Sequence, residues 1–167
     1  MALTVKQLNG DASFLLTYEP IEAASPGLRT LSEPFGVLFD PWIVGQSTIL
    51  HSNTSSTSRA QEACISTLQD LPEPDLVIIS HSRSDHCNEA TLRQLPQSNT
   101  KTLILAEPTA ARLIPSWKHF DKDVVRALHR WGNPRQIGQD TVTQVPVPPQ
   151  VFGGEEGEVT ISLSLSS

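Results

Sequence analysis

Positive charge is scarce in this chain: 12 Lys and Arg stand against 18 Asp and Glu, a net charge of -6 at pH 7 over 167 residues. Such a balance disfavours a general nucleic-acid partner or an anionic membrane surface. Long apolar runs are also missing. Apolar residues make up 38% of the chain, yet no run approaches the roughly 20 residues of a membrane span. Met1-Ala2-Leu3-Thr4-Val5-Lys6 lacks the charged-then-apolar layout of a signal peptide, so the expected location is the cytoplasm. Cysteine is limited to Cys64 and Cys87, and a disulfide between them is not expected in a reducing compartment. No G-x-x-x-x-G-K-[ST], G-x-G-x-x-G or G-x-S-x-G motif occurs, so the usual signals of nucleotide binding and of a serine-hydrolase elbow are absent. No internal repeat is visible. The basic residues Arg112, Lys118, Lys122, Arg126, Arg130 and Arg135 fall near Trp117 and Trp131, but Asp121 and Asp123 interrupt them. They read as a solvated face.

What is present alternates between strand and helix. Leu3 to Leu8 and Ser13 to Tyr18 read as an antiparallel pair, and Gly36 to Asp40 as a third strand stopped by Pro41. Gly45 to Ser58 is rich in Ser and Thr and reads as an exposed loop containing His51. Ala60, Ala63, Cys64, Leu68 and Leu71 fall on one face of a helix expected over Arg59 to Leu71, which makes Cys64 a small buried hydrophobe. Leu76-Val77-Ile78-Ile79 is a buried strand entered from the turn Pro72-Glu73-Pro74-Asp75. Asn88 is a candidate N-cap for a short helix carrying Ala90, Leu92 and Leu95 inward. A strand over Thr102 to Ala106 follows, then a helix opened by Pro108 and ended near Pro115. Further strands are expected at Val124 to His129 and Thr141 to Val147, with the alternating stretch Val159 to Ser167 last. Gly153 to Glu158 reads as a flexible acidic turn. The fold class is α/β.

The most informative segment is Ser80-His81-Ser82-Arg83-Ser84-Asp85-His86-Cys87-Asn88, which leads a buried strand directly into His, Asp and His on one loop. Imidazole and carboxylate are ligands that suit zinc and related divalent ions, and loops at strand ends are usual places for sites. Cys87 is either a soft ligand or reactive thiol, or packing beneath the loop. Asp40 either accepts hydrogen bonds beside the site or simply caps a turn with Pro41.

The spacing resembles the metallo-β-lactamase superfamily signature H-x-H-x-D-H after a buried strand, with Arg83 at the place of the second His. Gly36-Val37-Leu38-Phe39-Asp40-Pro41-Trp42 is similar to the strand and Asp-Pro-Trp element that precedes that signature, and Asn9 to Leu16 resembles the opening β-hairpin. The resemblance runs from the N-terminus to about residue 130, and Asp75 to Thr91 and Leu103 to Phe120 are most similar to lactamase-fold proteins common in fungi.

The resemblance implies a metallo-β-lactamase-like αββα sandwich built as a single domain over 1–167, of which this sequence holds the N-terminal half and the start of the second. Either the chain is a truncated form, or its last strand closes the domain unusually. It also implies a zinc-dependent hydrolase for a small-molecule substrate, with metal ligands His81, Asp85 and His86, and with Asp85 orienting a metal-bound hydroxide. Arginine cannot replace an imidazole ligand, having no lone pair to give. Any ion should therefore favour the Asp85/His86 side. His119 and His129 lie where a helix end and a strand are expected rather than in later ligand loops, and Asp140 is the only later carboxylate suitably placed in sequence. The alternative is a non-catalytic, degenerate lactamase-fold module that keeps a pocket or surface for a partner.

Overall fold

The structure, a computed structural model, describes residues 2–19, 33–45, 47–48, 56–57, 63–132, 141–149 and 154–164. Its strands are β1 (Ala2–Gln7), β2 (Phe14–Glu19), β3 (Phe35–Phe39), β4 (Ser47–Thr48), β5 (Ser56–Thr57), β6 (Leu76–Ile79), β7 (Leu103–Ala106), β8 (Val125–Ala127), β9 (Thr143–Val147) and β10 (Gly157–Ile161). The helices are α1 (Glu89–Leu92) and α2 (Pro108–Ser116), with a 3-10 turn at Leu68–Asp70.

Six strands form one sheet in the order β1-β2-β3-β6-β7-β8. The first two pairings are antiparallel, and β3, β6, β7 and β8 run parallel. Parallel strands bury both faces, which is why β6 and β7 are apolar at every position. Their side chains divide between two cores. Val77, Ile79, Ile104 and Ala106 point to the helical side, where Leu92, Leu95, Ala110 and Ile114 cover them. Leu76 and Leu105 point the other way, toward Val145 and Val147 of β9, with Val159 and Ile161 of β10 beside them. Each fully buried aliphatic side chain contributes about 2 kcal/mol, so neither layer is incidental. The result is a helical layer, a mixed six-stranded sheet and a two-stranded second sheet. It is an α/β architecture that holds three layers of the expected αββα sandwich in part. The described portion of the Ser/Thr-rich stretch, β4 and β5, forms a short antiparallel pair.

Several local expectations hold with small shifts in boundary. Pro108 opens α2 behind the N-cap Glu107, whose carboxylate accepts from the amides of Thr109 and Ala110 at 2.9 and 3.2 Å. Asn88 caps α1, accepting from the Thr91 amide at 3.0 Å.

Three expectations fail, the first being the acidic turn, since Gly157 and Glu158 pair with Val147 and Pro146 as the start of β10. Of the helix expected over Arg59 to Leu71, residues 59–62 lie outside the described residues, 63–67 are not helical, and Leu68–Asp70 makes a 3-10 turn. Thr67 and Asp70 form a capping box, and Asp70 also accepts from the Ser66 amide, so the side chains start a turn at a point where a helix was expected to continue. Cys64 is consequently exposed, with its amide donating to the Leu8 carbonyl at 2.7 Å. Ala90 is exposed as well, and Thr91 takes the inward place. The Thr91 hydroxyl accepts from the amides of Ile43 and Val44 at 3.0 and 3.1 Å and donates to the Val44 carbonyl at 3.1 Å. This ties α1 to the segment after β3. Gly45 continues that segment at φ +80°, and a Cβ there would stand 2.9 Å from that of Ala90. Only glycine meets both conditions.

Among the described residues no helix is long and apolar enough to cross a membrane. His51, Arg135 and Asp140 lie outside them.

Thr91→Val keeps shape while removing the hydroxyl to which the Ile43 and Val44 amides donate. It is expected to cost about 2–3 kcal/mol and to lower the thermal midpoint by roughly 5–10 °C in scanning calorimetry. A midpoint unchanged within 1–2 °C would show that α1 is held by packing alone.

Candidate functional site

The site is built from the two neighbouring strand ends of β3 and β6. Parallel pairing sets Phe39 opposite Ile78, and the Asp40 amide continues the ladder by donating to the Ile78 carbonyl at 2.9 Å. Asp40 then turns into the left-handed region at φ 41°, with the residue 1% exposed. A carboxylate so buried must be hydrogen-bonded. It accepts from the Ser80 amide at 2.7 Å, from the Ser80 hydroxyl, and from Nδ1 of His86 at 2.8 Å. Of the two roles open to Asp40, acceptor beside the site and turn cap, the structure shows the first.

The β1–β2 turn secures the same corner from the other side. Asn9 donates to the Ser13 hydroxyl and the Trp42 carbonyl, at 2.8 and 3.0 Å. Ser13 donates to the Asp40 carbonyl at 2.7 Å and accepts from the Trp42 amide at 2.9 Å. Both side chains are buried.

Beyond Ser80 the chain folds into a tight turn in which the amides of His86 and Cys87 donate to the Arg83 carbonyl at 2.9 and 2.7 Å. This turn gathers Arg83, Asp85 and His86. Arg83 grips Asp85 with two bonds, Nη2 to Oδ2 at 2.8 Å and Nε to Oδ1 at 3.3 Å. Nε2 of His86 lies 3.7 Å from the same Oδ2. His81 is exposed, its ring centroid 6.1 Å from that of His86. His81, Asp85 and His86 thus share one loop, as the sequence suggests.

The remaining candidates lie elsewhere. His119 is buried with both ring nitrogens engaged, by the Leu95 carbonyl at 3.1 Å and the Gln97 amide at 3.2 Å, and packs edge-on against Phe120. His129 is exposed beside a groove between β7, β8 and β9. Cys87 is buried beneath the loop, 3% exposed, and burial first, then the charges of Asp40 and Glu89, push its thiol up to about 12. Ser80 is the participant that sequence reasoning passed over. Its one signal is its place between a buried strand and the first His.

Electrostatics follow the contacts. The hydrogen bond to Asp40 holds the His86 imidazolium above its usual range, opposed by burial and reinforced by the charges of Asp40 and Asp85. For Asp85 burial alone would favour the neutral acid. The Arg83 hydrogen bond, its own backbone amide and the neighbouring charges outweigh it, and the carboxyl titrates below its ordinary value.

Chemically, a histidine with Nδ1 fixed on a carboxylate presents Nε2 as a proton acceptor or as a metal ligand, and metal-bound histidines are commonly braced in this way. A catalytic zinc needs three protein donors and an open position. Among the described residues no three His, Cys, Asp or Glu are placed to hold an ion, and both oxygens of Asp85 are engaged by Arg83. This donor set does not fit a zinc site.

Because the folded-state titration of His86 is raised, its contribution to stability is full below about 6.5, the unfolded value, and is lost as pH rises through the folded value. Stability is therefore expected to decline on passing from pH 6.5 to the His86 midpoint. NMR should place that midpoint above 6.5 in the native chain, with Asp40→Asn lowering it; equal midpoints in the two proteins would refute the assignment.

No curated protein matches the sequence closely enough to count as a relative. Among solved structures, an isothiocyanate hydrolase from Delia radicum gut bacteria is similar at a TM-score of 0.49 and 17% identity, covering 86% of this chain and 47% of its own. The present chain spans about half the length of that structure. The sequence profile of the family described as "Beta-lactamase superfamily domain" matches residues 36–165. That match takes in β3 from Gly36 on, the later strands to β10 and the whole His81 to His86 loop, and by it the chain belongs to the β-lactamase superfamily.

Proposed function

We propose that this chain is a hydrolase-like domain acting on a small molecule at the carboxyl end of β6, with His81, Asp85 and His86 around the reacting group. The observation that carries this reading is the Asp40–His86 pair. A buried carboxylate fixes one imidazole nitrogen at 2.8 Å and leaves the other facing Asp85. Membership of a superfamily named for β-lactam hydrolysis adds support. An open groove of about 540 Å³ between the loop, α1 and α2, lined among others by Ser82, Ser84, Glu89, Arg93 and Trp117, is of small-molecule size and lies next to His81, Asp85 and His86 without being lined by them. The net charge of -6 weighs against nucleic acid or an anionic membrane as the substrate. In this reading Asp85 and His86 are the residues closest to chemistry, Asp85 once Arg83 releases it. Zinc, the metal the signature implies, requires donors beyond these three residues.

A second reading, a non-catalytic module that keeps the fold as a binding surface, is favoured by one observation: the grip of Arg83 on the carboxylate that catalysis would use.

Hydrolysis of chromogenic esters, thioesters, lactams and phosphodiesters separates the two. The hydrolase reading expects turnover that His86→Ala and Asp85→Ala each lower at least about 100-fold, as loss of a group acting on the reacting atoms does, and that His119→Gln leaves in place. Absence of turnover from every class, with and without added zinc, would sink it in favour of the module. Elemental analysis is expected to find well under one equivalent of zinc per chain. A stoichiometry near two would mean that the donor set is complete after all.

A further inference from the structure

We propose that Arg83 is a built-in cation which takes the electrostatic place of a metal ion on Asp85, so that the loop keeps its geometry with no metal bound. The inference concerns the loop itself and does not rest on the hydrolase reading.

Geometry carries it. In the signature this chain resembles, position 83 would hold a ligand and position 85 would face an ion. Here the planar fork of Arg83 places two donors on the two oxygens of that carboxylate, Nη2 to Oδ2 at 2.8 Å and Nε to Oδ1 at 3.3 Å. A guanidinium meets a carboxylate in this paired fashion because its N–H vectors match the oxygen spacing, and an ammonium cannot do so. The Asp85 side chain is 11% exposed, so it has lost most of its water and needs a positive partner. Arg83 is 57% exposed, which leaves its own charge largely solvated. The pair is therefore asymmetric: the anion depends on the cation more than the reverse.

The backbone prepares the contact. The carbonyl of Arg83 accepts from the amides of His86 and Cys87, and this turn carries the Arg83 side chain back over Asp85. Nε2 of His86 lies 3.7 Å from the same Oδ2, while Nδ1 is tied to Asp40. Oδ2 thus has the Arg83 guanidinium at hydrogen-bond distance and Nε2 of His86 at 3.7 Å, and among the described residues the guanidinium is its one fixed positive charge. A dication brought to Asp85 would have to displace Arg83 and then stand against its charge.

The test uses the whole chain and reads amide hydrogen exchange at His86 and Cys87, with zinc affinity measured by competition with a chromogenic chelator. In the native protein exchange should be unaffected by millimolar zinc or by EDTA. Arg83→Met removes the cation and adds no ligand; exchange at both amides should rise at least threefold, and millimolar zinc should slow it again. Arg83→His supplies a third nitrogen donor on the loop and should bind zinc at least tenfold more tightly than the native chain. Native-like exchange in Arg83→Met, no recovery with zinc, or a native zinc affinity equal to that of Arg83→His would each overturn the proposal. Should circular dichroism show that Arg83→Met has unfolded, Arg83→Gln is read against the same outcomes.

Discussion

One buried carboxylate holds the corner on which everything else here stands. Asp40 lies at the end of β3, where parallel pairing to β6 brings its backbone against Ile78 and its side chain against Ser80. Ionised and without partners, such a group would cost several kcal/mol in the interior. Its three donors come from Ser80 and His86, so satisfying the carboxylate also fixes the start of the loop and the orientation of its last histidine. The backbone at Asp40 is left-handed, and Ser13, which donates to the Asp40 carbonyl and accepts from the Trp42 amide, secures it.

The chemistry of the loop thus depends on contacts distant in sequence. His86 is 46 residues from Asp40 and Ser13 is 27 from it. The sheet supplies the proximity; a strand order that placed β6 elsewhere would leave His86 free to rotate. The second sheet contributes indirectly: Val145 and Val147 cover the face of β6 opposite the helices, and a strand buried on both sides is a rigid base for a turn.

Much of this was legible in the sequence, for identifiable reasons. Leu76 to Ile79 and Leu103 to Ala106 are unbroken apolar runs, and such runs leave little but a doubly buried strand. Pro108 and Asn88 mark helix starts by local rules that need no tertiary context. The loop announced itself through His81, Asp85 and His86. What escaped reading was decided by partners far along the chain. The helical spacing of Ala60 to Leu71 was real, but Thr67, Asp70 and the Leu8 carbonyl each offered the backbone of residues 64–70 a different bond. Thr91 rather than Ala90 faces inward, where its hydroxyl accepts from the amides of Ile43 and Val44, a bond that an alanine side chain cannot make. Ser80 carries no pattern of its own; its role exists only because Asp40 is its neighbour in the sheet.

The two cysteines, so unlike in their surroundings, make the molecule selectively addressable. Cys87 is buried under the loop at 3% exposure, and burial pushes its thiol up to about 12, far from the thiolate form that alkylating reagents attack. Cys64 stands in solvent, its amide bonded to Leu8 at the edge of the turn where Asn9 and Ser13 hold Asp40. A maleimide dye added at neutral pH is expected to prefer Cys64, close in sequence to the bond that its amide makes to Leu8. A fluorophore there reports on the corner from behind and leaves the loop untouched.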